Sequence, residues 1–399
     1  HEVVRRLADP TRRESYQAKG LVVGHVQSGK TANFTGVLAK AVDAGYRLVI
    51  VLTGTIELLR GQTQRRIDME LVGEENILGG RDKDDPEQIQ DVDYAGIGDK
   101  DWRDGKFLRH GKHPKDLGKP GIRRLTNAKG DYKSLRNGLG YLDFRDSDHL
   151  VHPELPLHDS SNLFGTDIRL AVVKKQKNVL EKLIKDLKAT RVKLAEIPTL
   201  IIDDEADQAS VNTKDNRKKS PEDRARTTIN RLIAELLHEL PRAQYVAYTA
   251  TPFANVFVDP DDVDDIFPKD FIVSLEPPTA YMGGKAFHDL DRDPDGLDEV
   301  DVSAPENSLA LSNERAYIRD LTADLDNDHQ KRRDELRSAL DSFVLSGAMK
   351  LHRRSVGHPG DYRHHTMLVH EGVTTTQHKD AVEKLQALWD ERGYNLGRP

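Results

Sequence analysis

The apolar residues of the chain fall into short continuous runs separated by longer stretches with helical spacing. Runs of this kind are typical of strands buried on both faces of a parallel sheet. Between them, apolar residues recur at spacings of three, four, seven and eight, as on one face of a helix. This alternation predicts an α/β fold with a mainly parallel sheet. The predicted strands are residues 21–23, 48–52, 170–173, 199–202 and 245–248.

Two stretches interrupt the alternation and suggest the domain organisation. Residues 73–165 are rich in Gly, Pro, Asp and Lys and show no long amphipathic period, so we predict an insertion with short elements of its own. It would belong to a first domain at 1–275, followed by an acidic linker and helical segment at 276–360. A strand predicted at 366–369, followed by a helical pattern, indicates the start of a second domain at 361–399.

Composition excludes several classes of protein. None of the 399 residues is Cys, which excludes disulfides, a thiol nucleophile and Cys-ligated metals. No apolar run reaches the ~20 residues of a membrane helix and the first residues are highly charged, so we expect no membrane contact and a cytoplasmic location. The net charge of −7 argues against a nucleic-acid coat protein. Residues 103–136 nevertheless hold 11 Lys/Arg against 3 Asp/Glu, which predicts a local basic surface.

The strongest chemical signal is a glycine-rich segment directly after the first predicted strand. It matches the pattern G-x-x-x-x-G-K-[ST], in which backbone N–H groups and a helix N-terminus face phosphate oxygens. Lys30 would supply a cation to the phosphates, and the Thr31 hydroxyl would join a Mg²⁺ shell. We therefore predict a site for ATP and Mg²⁺. Its predicted nucleotide-binding residues are Gly24, Val26, Gln27, Ser28, Gly29, Lys30 and Thr31.

Carboxylates follow the strand predicted at 199–202 without a gap, in the segment Asp203-Asp204-Glu205-Ala206-Asp207. Side chains at the carboxyl ends of parallel strands face the crevice where open α/β sheets bind ligands. Asp204 is predicted to hold Mg²⁺ together with Thr31. Glu205 is predicted to orient and deprotonate the attacking water. With Lys30, these two carboxylates form the predicted catalytic set.

Small hydroxyl residues follow the next strand, in Thr249-Ala250-Thr251-Pro252. Such a segment is by itself an ordinary turn. Its place after the other two motifs suggests that Thr249 and Thr251 form hydrogen bonds with the acidic loop. We predict that they couple the nucleotide site to a neighbouring surface.

The three segments, in this order, resemble the first three motifs of helicase superfamily 2. A finer resemblance is to the Z1-domain group of helicase-like ATPases. It implies a RecA-like fold and an ATP-driven DNA motor of a restriction system, acting with a separate nuclease subunit. A methyltransferase of the same system is a further candidate partner. The residues that carry it are KGLVVGHVQSGKTAN at 19–33, LTGT at 52–55, VVKK at 172–175 and TPFAN at 251–255.

The same resemblance implies a set of DNA contacts with hydroxyl, amide and cationic side chains, which are the groups that phosphate contacts use. In this superfamily a second RecA-like half supplies an arginine to the γ-phosphate. Only a short segment follows residue 366, so no such arginine is assigned, and we expect negligible hydrolysis by this chain alone. The implied contacts are Thr53, Gly54, Thr55, Arg60, Gln62, Arg65, Lys174 and Lys175, with Lys177 beside them.

The residues leave other functions open. An endonuclease with its own ATPase module would cut DNA without a partner. A non-motor ATP-dependent switch or scaffold would bind ATP without a response to nucleic acid. The segment Asp204-Glu205-Ala206-Asp207 also fits an RNA helicase. The sequence decides neither whether the bound nucleic acid is DNA or RNA nor whether the motor unwinds a duplex or translocates along it.

Overall fold

The computed structural model describes most of the chain as two compact units, His1–Gly283 and Gly284–Pro399. The described residues are 1–26, 28–132, 152–189, 193–207, 221–252, 266–288, 313–323, 327–360, 362, 364–370, 372 and 374–394.

Seven parallel strands form the sheet of the first unit. They are β1 Lys19–Val23, β2 Leu48–Thr53, β3 Ile122–Arg124, β4 Ile168–Lys174, β5 Thr199–Asp204, β6 Ala243–Thr249 and β7 Phe271–Ser274. Their order in the sheet is β3-β4-β2-β5-β6-β1-β7. The predicted α/β fold with a parallel sheet is confirmed, and the sheet is consistent with a RecA-like fold. All five apolar runs predicted as its strands are present, as β1, β2, β4, β5 and β6.

Helices cover both faces of this sheet. They are α1 Glu2–Arg5, α2 Lys30–Ala44, α3 Glu57–Ile67, α4 Gly73–Leu78, α5 Pro86–Ile89, α6 Lys100–Arg103, α7 Ser160–Leu163, α8 Lys177–Lys188 and α9 Pro221–Glu239. A π-helical segment at Asp68–Val72 follows α3, and 3₁₀ turns lie at Pro114–Leu117 and Leu194–Glu196. Gly45 follows the end of α2, and its φ of 118° is favourable only for glycine.

The central strand β2 shows why its sequence is apolar throughout. Its side chains alternate between the two faces of the sheet, so Leu48, Ile50 and Leu52 pack in the apolar cluster that contains α8 and α9. Val49 and Val51 pack in the opposite cluster, which contains α2 and the end of α3. Burial of each such side chain stabilises the fold by about 1.5–3 kcal/mol.

The two edge strands were not predicted. β3 lies inside the predicted insertion and pairs Ile122 with Ile168, so part of the insertion extends the sheet. Only one residue of β3, Ile122, is apolar, and a single apolar residue does not form a pattern that indicates a strand. β7 pairs with β1, and the Phe271 ring lies over Gly20, where a Cβ would stand 2.1 Å from the ring. A side chain at position 20 would therefore force the Phe271 ring out of its place.

Basic residues of the insertion pair with buried carboxylates. Arg123 and Lys115 lie 2.7 and 3.1 Å from Asp167, and Arg124 lies 2.8 Å from Asp68. The Asp167 and Asp68 side chains are 3% and 0% exposed. These three cations therefore compensate buried charges, and the basic surface predicted for 103–136 does not include them as unpaired charges.

The second unit contains α10 Gly284–Phe287, α11 Asn313–Tyr317, α12 His329–Ser355 and α13 Thr375–Arg392. α12 and α13 pack through Leu336, Leu340 and Leu388. The strand predicted at 366–369 is wrong, because these residues form no strand and Leu368 is 89% exposed. None of the helices described in either unit combines the length and the apolar character needed to cross a membrane.

Candidate functional site

The glycine-rich loop joins β1 to α2. The Gly24 N–H donates to the Thr249 carbonyl oxygen over 3.0 Å, which ties the loop to the end of β6. Gly29 has a φ of 96°, a left-handed conformation that suits glycine, and no atom lies within 4 Å of the position a Cβ would take. No side chain caps α2 and its first turn holds no acidic residue. This helix N-terminus therefore suits an anion.

The Lys30 ammonium lies within the loop. It donates to the His25 carbonyl oxygen over 3.1 Å and to the Gly24 carbonyl oxygen over 3.4 Å. These exposed or partly exposed bonds hold the cation beside the loop backbone, where phosphates bind in loops of this pattern. Of the other predicted nucleotide-binding residues, Val26 is 62% exposed, and Gln27 lies outside the described residues.

A cavity of about 570 Å³ lies at the carboxyl ends of β1, β5 and β6, which is within the size range of small-molecule sites. The loop, the acidic segment and the threonine segment all contribute to its wall. The predicted catalytic, metal-binding and coupling residues are thus brought together. The lining residues are Val26, Gly29, Lys30, Thr31, Arg66, Asp204, Glu205, Asp207, Thr249, Ala250 and Thr251.

A buried ion pair supports the acidic loop. The Lys175 ammonium lies 2.8 Å from an Asp203 carboxylate oxygen, and both side chains are fully buried. The Tyr245 hydroxyl donates to the other oxygen of Asp203 over 2.5 Å. Lys175 also donates to the carbonyl oxygens of Asp204 and Glu205, over 3.0 and 2.7 Å.

Glu205 has an unusual backbone conformation. Its φ of 56° lies in the left-handed region, which non-glycine residues adopt at a cost on the order of 1–3 kcal/mol. The bonds from Lys175 to the Asp204 and Glu205 carbonyl oxygens hold this conformation in place. Such strain is concentrated at functional sites, in agreement with the position of Glu205 in the cavity wall.

Burial, with the neighbouring charge of Glu205, raises the pKa of Asp204 from 3.8 to about 6. The Lys175 ammonium acts in the opposite direction, towards a lower pKa. Because the folded state favours the protonated form, Asp204 makes its full contribution to stability below pH 4 and loses it as the pH rises through about 6. At neutral pH the ionised carboxylate therefore destabilises the nucleotide-free protein.

Replacing Asp204 with Asn should accordingly stabilise the nucleotide-free protein at pH 7.5, by up to about 3 kcal/mol, since one pKa unit corresponds to 1.36 kcal/mol. Urea unfolding at pH 7.5 and pH 4 measures this. Most of the gain should be lost at pH 4, where the carboxyl of the folded protein is protonated and that of the unfolded chain is only partly ionised. An equal gain at both pH values would mean that a cause other than the ionisation of Asp204 is responsible.

The threonine segment contacts the last residue of the acidic loop. The Thr249 and Thr251 hydroxyls donate to the two carboxylate oxygens of Asp207 over 2.8 and 2.7 Å. The hydrogen bonds predicted between these threonines and the acidic loop are confirmed. Coupling to a neighbouring surface stays a prediction.

Two of the predicted DNA contacts have structural roles instead. The Arg60 side chain is fully buried and donates to the carbonyl oxygens of Val172 and Asn127 over 3.3 and 2.9 Å. Lys175 is buried in the ion pair with Asp203. Neither cation can reach a phosphate in this conformation, so the roles predicted for them are corrected.

The other predicted DNA contacts differ in exposure. Thr53 and Gly54 are buried, whereas Thr55, Gln62 and Lys177 are exposed. Partly exposed cations are paired with carboxylates. Arg65 pairs with Asp99 and Asp101 over 2.9 and 2.7 Å, and Lys174 pairs with Glu57 over 2.7 Å.

Sequence reasoning did not identify two residues at this site. Arg66 lines the cavity, although it lies far along the chain from the three motifs. The Tyr281 hydroxyl donates to the Val26 carbonyl oxygen over 2.6 Å, and its ring centroid lies 5.6 Å from that of His25. Neither residue belongs to a recognisable motif, so only the fold places them here.

The donor set fits Mg²⁺ held together with a nucleotide. Among the residues that the structure describes, no three His, Asp or Glu side chains form a group that could hold a metal by themselves. Mg²⁺ is commonly held by one or two protein oxygens, substrate phosphates and water. Thr31 and Asp204, both in the cavity wall, supply such oxygens.

Comparison with known proteins gives no relative, since no family model, curated protein or solved structure matches the chain.

Proposed function

We propose that this chain is an ATPase that binds ATP with Mg²⁺ and acts as the DNA motor of a restriction system, with a separate nuclease subunit. One observation carries the ATPase proposal. A single cavity brings Lys30 and Thr31 together with Asp204 and Glu205 at the carboxyl edge of a parallel sheet. This combination of a loop cation, hydroxyl and carboxylates is what phosphoryl transfer to water requires.

Each residue has a distinct role in this proposal. Loop N–H groups and Lys30 bind the phosphates of ATP and stabilise the charge that develops on them. Thr31 and Asp204 hold Mg²⁺, which neutralises phosphate charge when bound. Glu205 accepts a proton from the attacking water, and its backbone is fixed by Lys175.

The motor part of the proposal is supported by the order of the motifs and by the contacts of Asp207 with Thr249 and Thr251. These contacts join the carboxyl ends of β5 and β6. Thr55 and Gln62 are exposed and suit contacts with a phosphate backbone. We include a nuclease subunit and a methyltransferase partner only because of the resemblance to the Z1-domain group.

Linked binding tests this function. Affinity for a fluorescent ATP analogue should depend on Mg²⁺. A DNA motor couples its nucleotide site to its DNA site, and such a coupling is reciprocal, so the affinity for the analogue should also rise when duplex DNA is added. Titrations with Mg²⁺ or EDTA, and with duplex DNA, single-stranded RNA or no nucleic acid, measure both effects. A response to RNA alone would favour an RNA helicase, and no response to either would favour a switch or scaffold.

Cleavage of DNA is assayed in the same preparation. Our proposal expects intact DNA, because cutting is assigned to another subunit. Cleavage by the purified chain would favour an endonuclease with its own ATPase module.

A further inference from the structure

Two consecutive arginines near the end of α3 have different surroundings. The Arg65 guanidinium is bound by Asp99 and Asp101, at 2.9 and 2.7 Å. Successive residues of an α-helix point about 100° apart. Arg66 therefore projects from another side of α3, and it lines the cavity that contains the glycine-rich loop.

The position of Arg66 is fixed by its neighbour in the chain. Ile67 is fully buried in the apolar cluster that also contains Phe34 and Leu38 of α2. This packing anchors the end of α3 on the face of the sheet that α2 covers. α2 begins at Lys30, so the fold holds Arg66 and Lys30 in the wall of the same cavity.

The charges in this cavity leave a role for another cation. Lys30 and Arg66 are the two cations in the cavity wall as far as the structure describes it, against the carboxylates of Asp204, Glu205 and Asp207. A polyphosphate adds several negative charges to this set. A second cation in the same cavity wall would offset part of that charge.

Arg66 forms a weak ion pair with Glu70, which it can exchange for a contact with a ligand. Its Nε lies 3.0 Å from Glu70, one helical turn further on, and the two side chains are 40% and 35% exposed. Exposed pairs at this spacing contribute little to stability, because water screens the two charges. A guanidinium binds phosphate through two parallel N–H groups, which is a stronger arrangement.

We propose that Arg66 is a second phosphate-binding cation of the nucleotide site, supplied by the same unit that carries the glycine-rich loop. The inference rests on the proposed nucleotide-binding function. The helix α3 then supplies a phosphate contact that none of the three sequence motifs provides.

The test compares the affinity of four variants for a fluorescent ATP analogue in the presence of Mg²⁺. Arg66→Ala should bind about 10–100-fold more weakly than wild type, as expected for a lost charge-assisted hydrogen bond. Arg66→Lys should keep part of the affinity, because it retains a point charge without the fork. Glu70→Gln is the matched control, since it removes the surface pair but keeps the guanidinium, and it should bind like wild type. Lys30→Ala reports on the nucleotide site itself.

The outcomes separate the two proposals. Wild-type affinity in Arg66→Ala, with binding lost in Lys30→Ala, would overturn the role of Arg66 and leave the proposed function intact. Equal weakening in Arg66→Ala and Glu70→Gln would also overturn it, because loss of the surface pair would then explain the effect. Wild-type affinity in Lys30→Ala would overturn both. Thermal unfolding of each variant checks that it is folded.

Discussion

Replacing Lys30 with alanine is expected to abolish detectable ATP binding. The Lys30 ammonium lies beside the carbonyl oxygens of His25 and Gly24, within the loop proposed to surround the phosphates. Alanine removes this charge but leaves the loop glycines and α2 in place. Titration of wild type and variant with a fluorescent ATP analogue and Mg²⁺ measures the loss. Equal affinity in the two proteins would refute the assignment of the phosphate-binding loop.

Glu205→Gln is the matched control at the same site. The amide cannot accept a proton from water, so this variant should keep ATP binding and lose hydrolysis in a preparation that turns over ATP. It leaves the hydrogen bond from Lys175 to the backbone of residue 205 available. Loss of binding in both variants would point to damage of the whole site instead of separate roles.

Replacing Lys175 with methionine is expected to lower the free energy of unfolding by about 3–5 kcal/mol, because it leaves the Asp203 carboxylate buried without its cation. Methionine has a similar length but cannot donate a hydrogen bond, so the Asp204 and Glu205 carbonyl oxygens also lose a donor. Urea unfolding at neutral pH, monitored by circular dichroism, measures the change.

Two controls accompany Lys175→Met. Tyr245→Phe removes a second donor to Asp203 and keeps the cation, so it should cost less, about 1–3 kcal/mol. Lys177→Met changes a lysine whose side chain is 62% exposed and should have an effect within about 0.5 kcal/mol. A change of that small size in Lys175→Met would show that the ion pair does not compensate the buried charge.

Much of the central sheet could be predicted from the sequence because the relevant signals are local. Each inner strand is a continuous apolar run, and the stripe of α2 from Phe34 to Ala41 packs on the sheet as its spacing indicates. The carboxyl ends of β1, β5 and β6 carry the three motifs. Parallel strands bring these ends to one edge, so the composition of the cavity wall also follows largely from the sequence.

The buried cations could not be predicted, because their partners are distant in the chain. Lys175 follows β4, and its main-chain N–H donates to the Thr53 carbonyl oxygen at the end of β2 over 3.0 Å. Its side chain reaches Asp203 on β5, the strand on the other side of β2. This pairing depends on the strand order β4-β2-β5, which no local pattern contains. Surface exposure is the usual state of lysine, and only the fold shows the exception.

The edge strands were missed for a related physical reason. An edge strand buries fewer of its residues, so its apolar pattern is short, and β7 shows alternate burial over only four residues. The strand predicted at 366–369 shows the opposite error. Four apolar or β-branched residues do not form a strand without a neighbouring strand, and Leu368 is exposed.

The contact between Gly20 and Phe271 has a consequence for solubility. A side chain at position 20 would overlap the Phe271 ring, so the ring would have to move and its packing on β1 would weaken. β7 covers one side of β1, and without β7 that side would be an edge of the sheet with unpaired N–H and C=O groups along an apolar strand. Such an edge is a template for pairing with other chains and for aggregation. Gly20 thus supports the packing of the strand that covers β1, which leads into the glycine-rich loop.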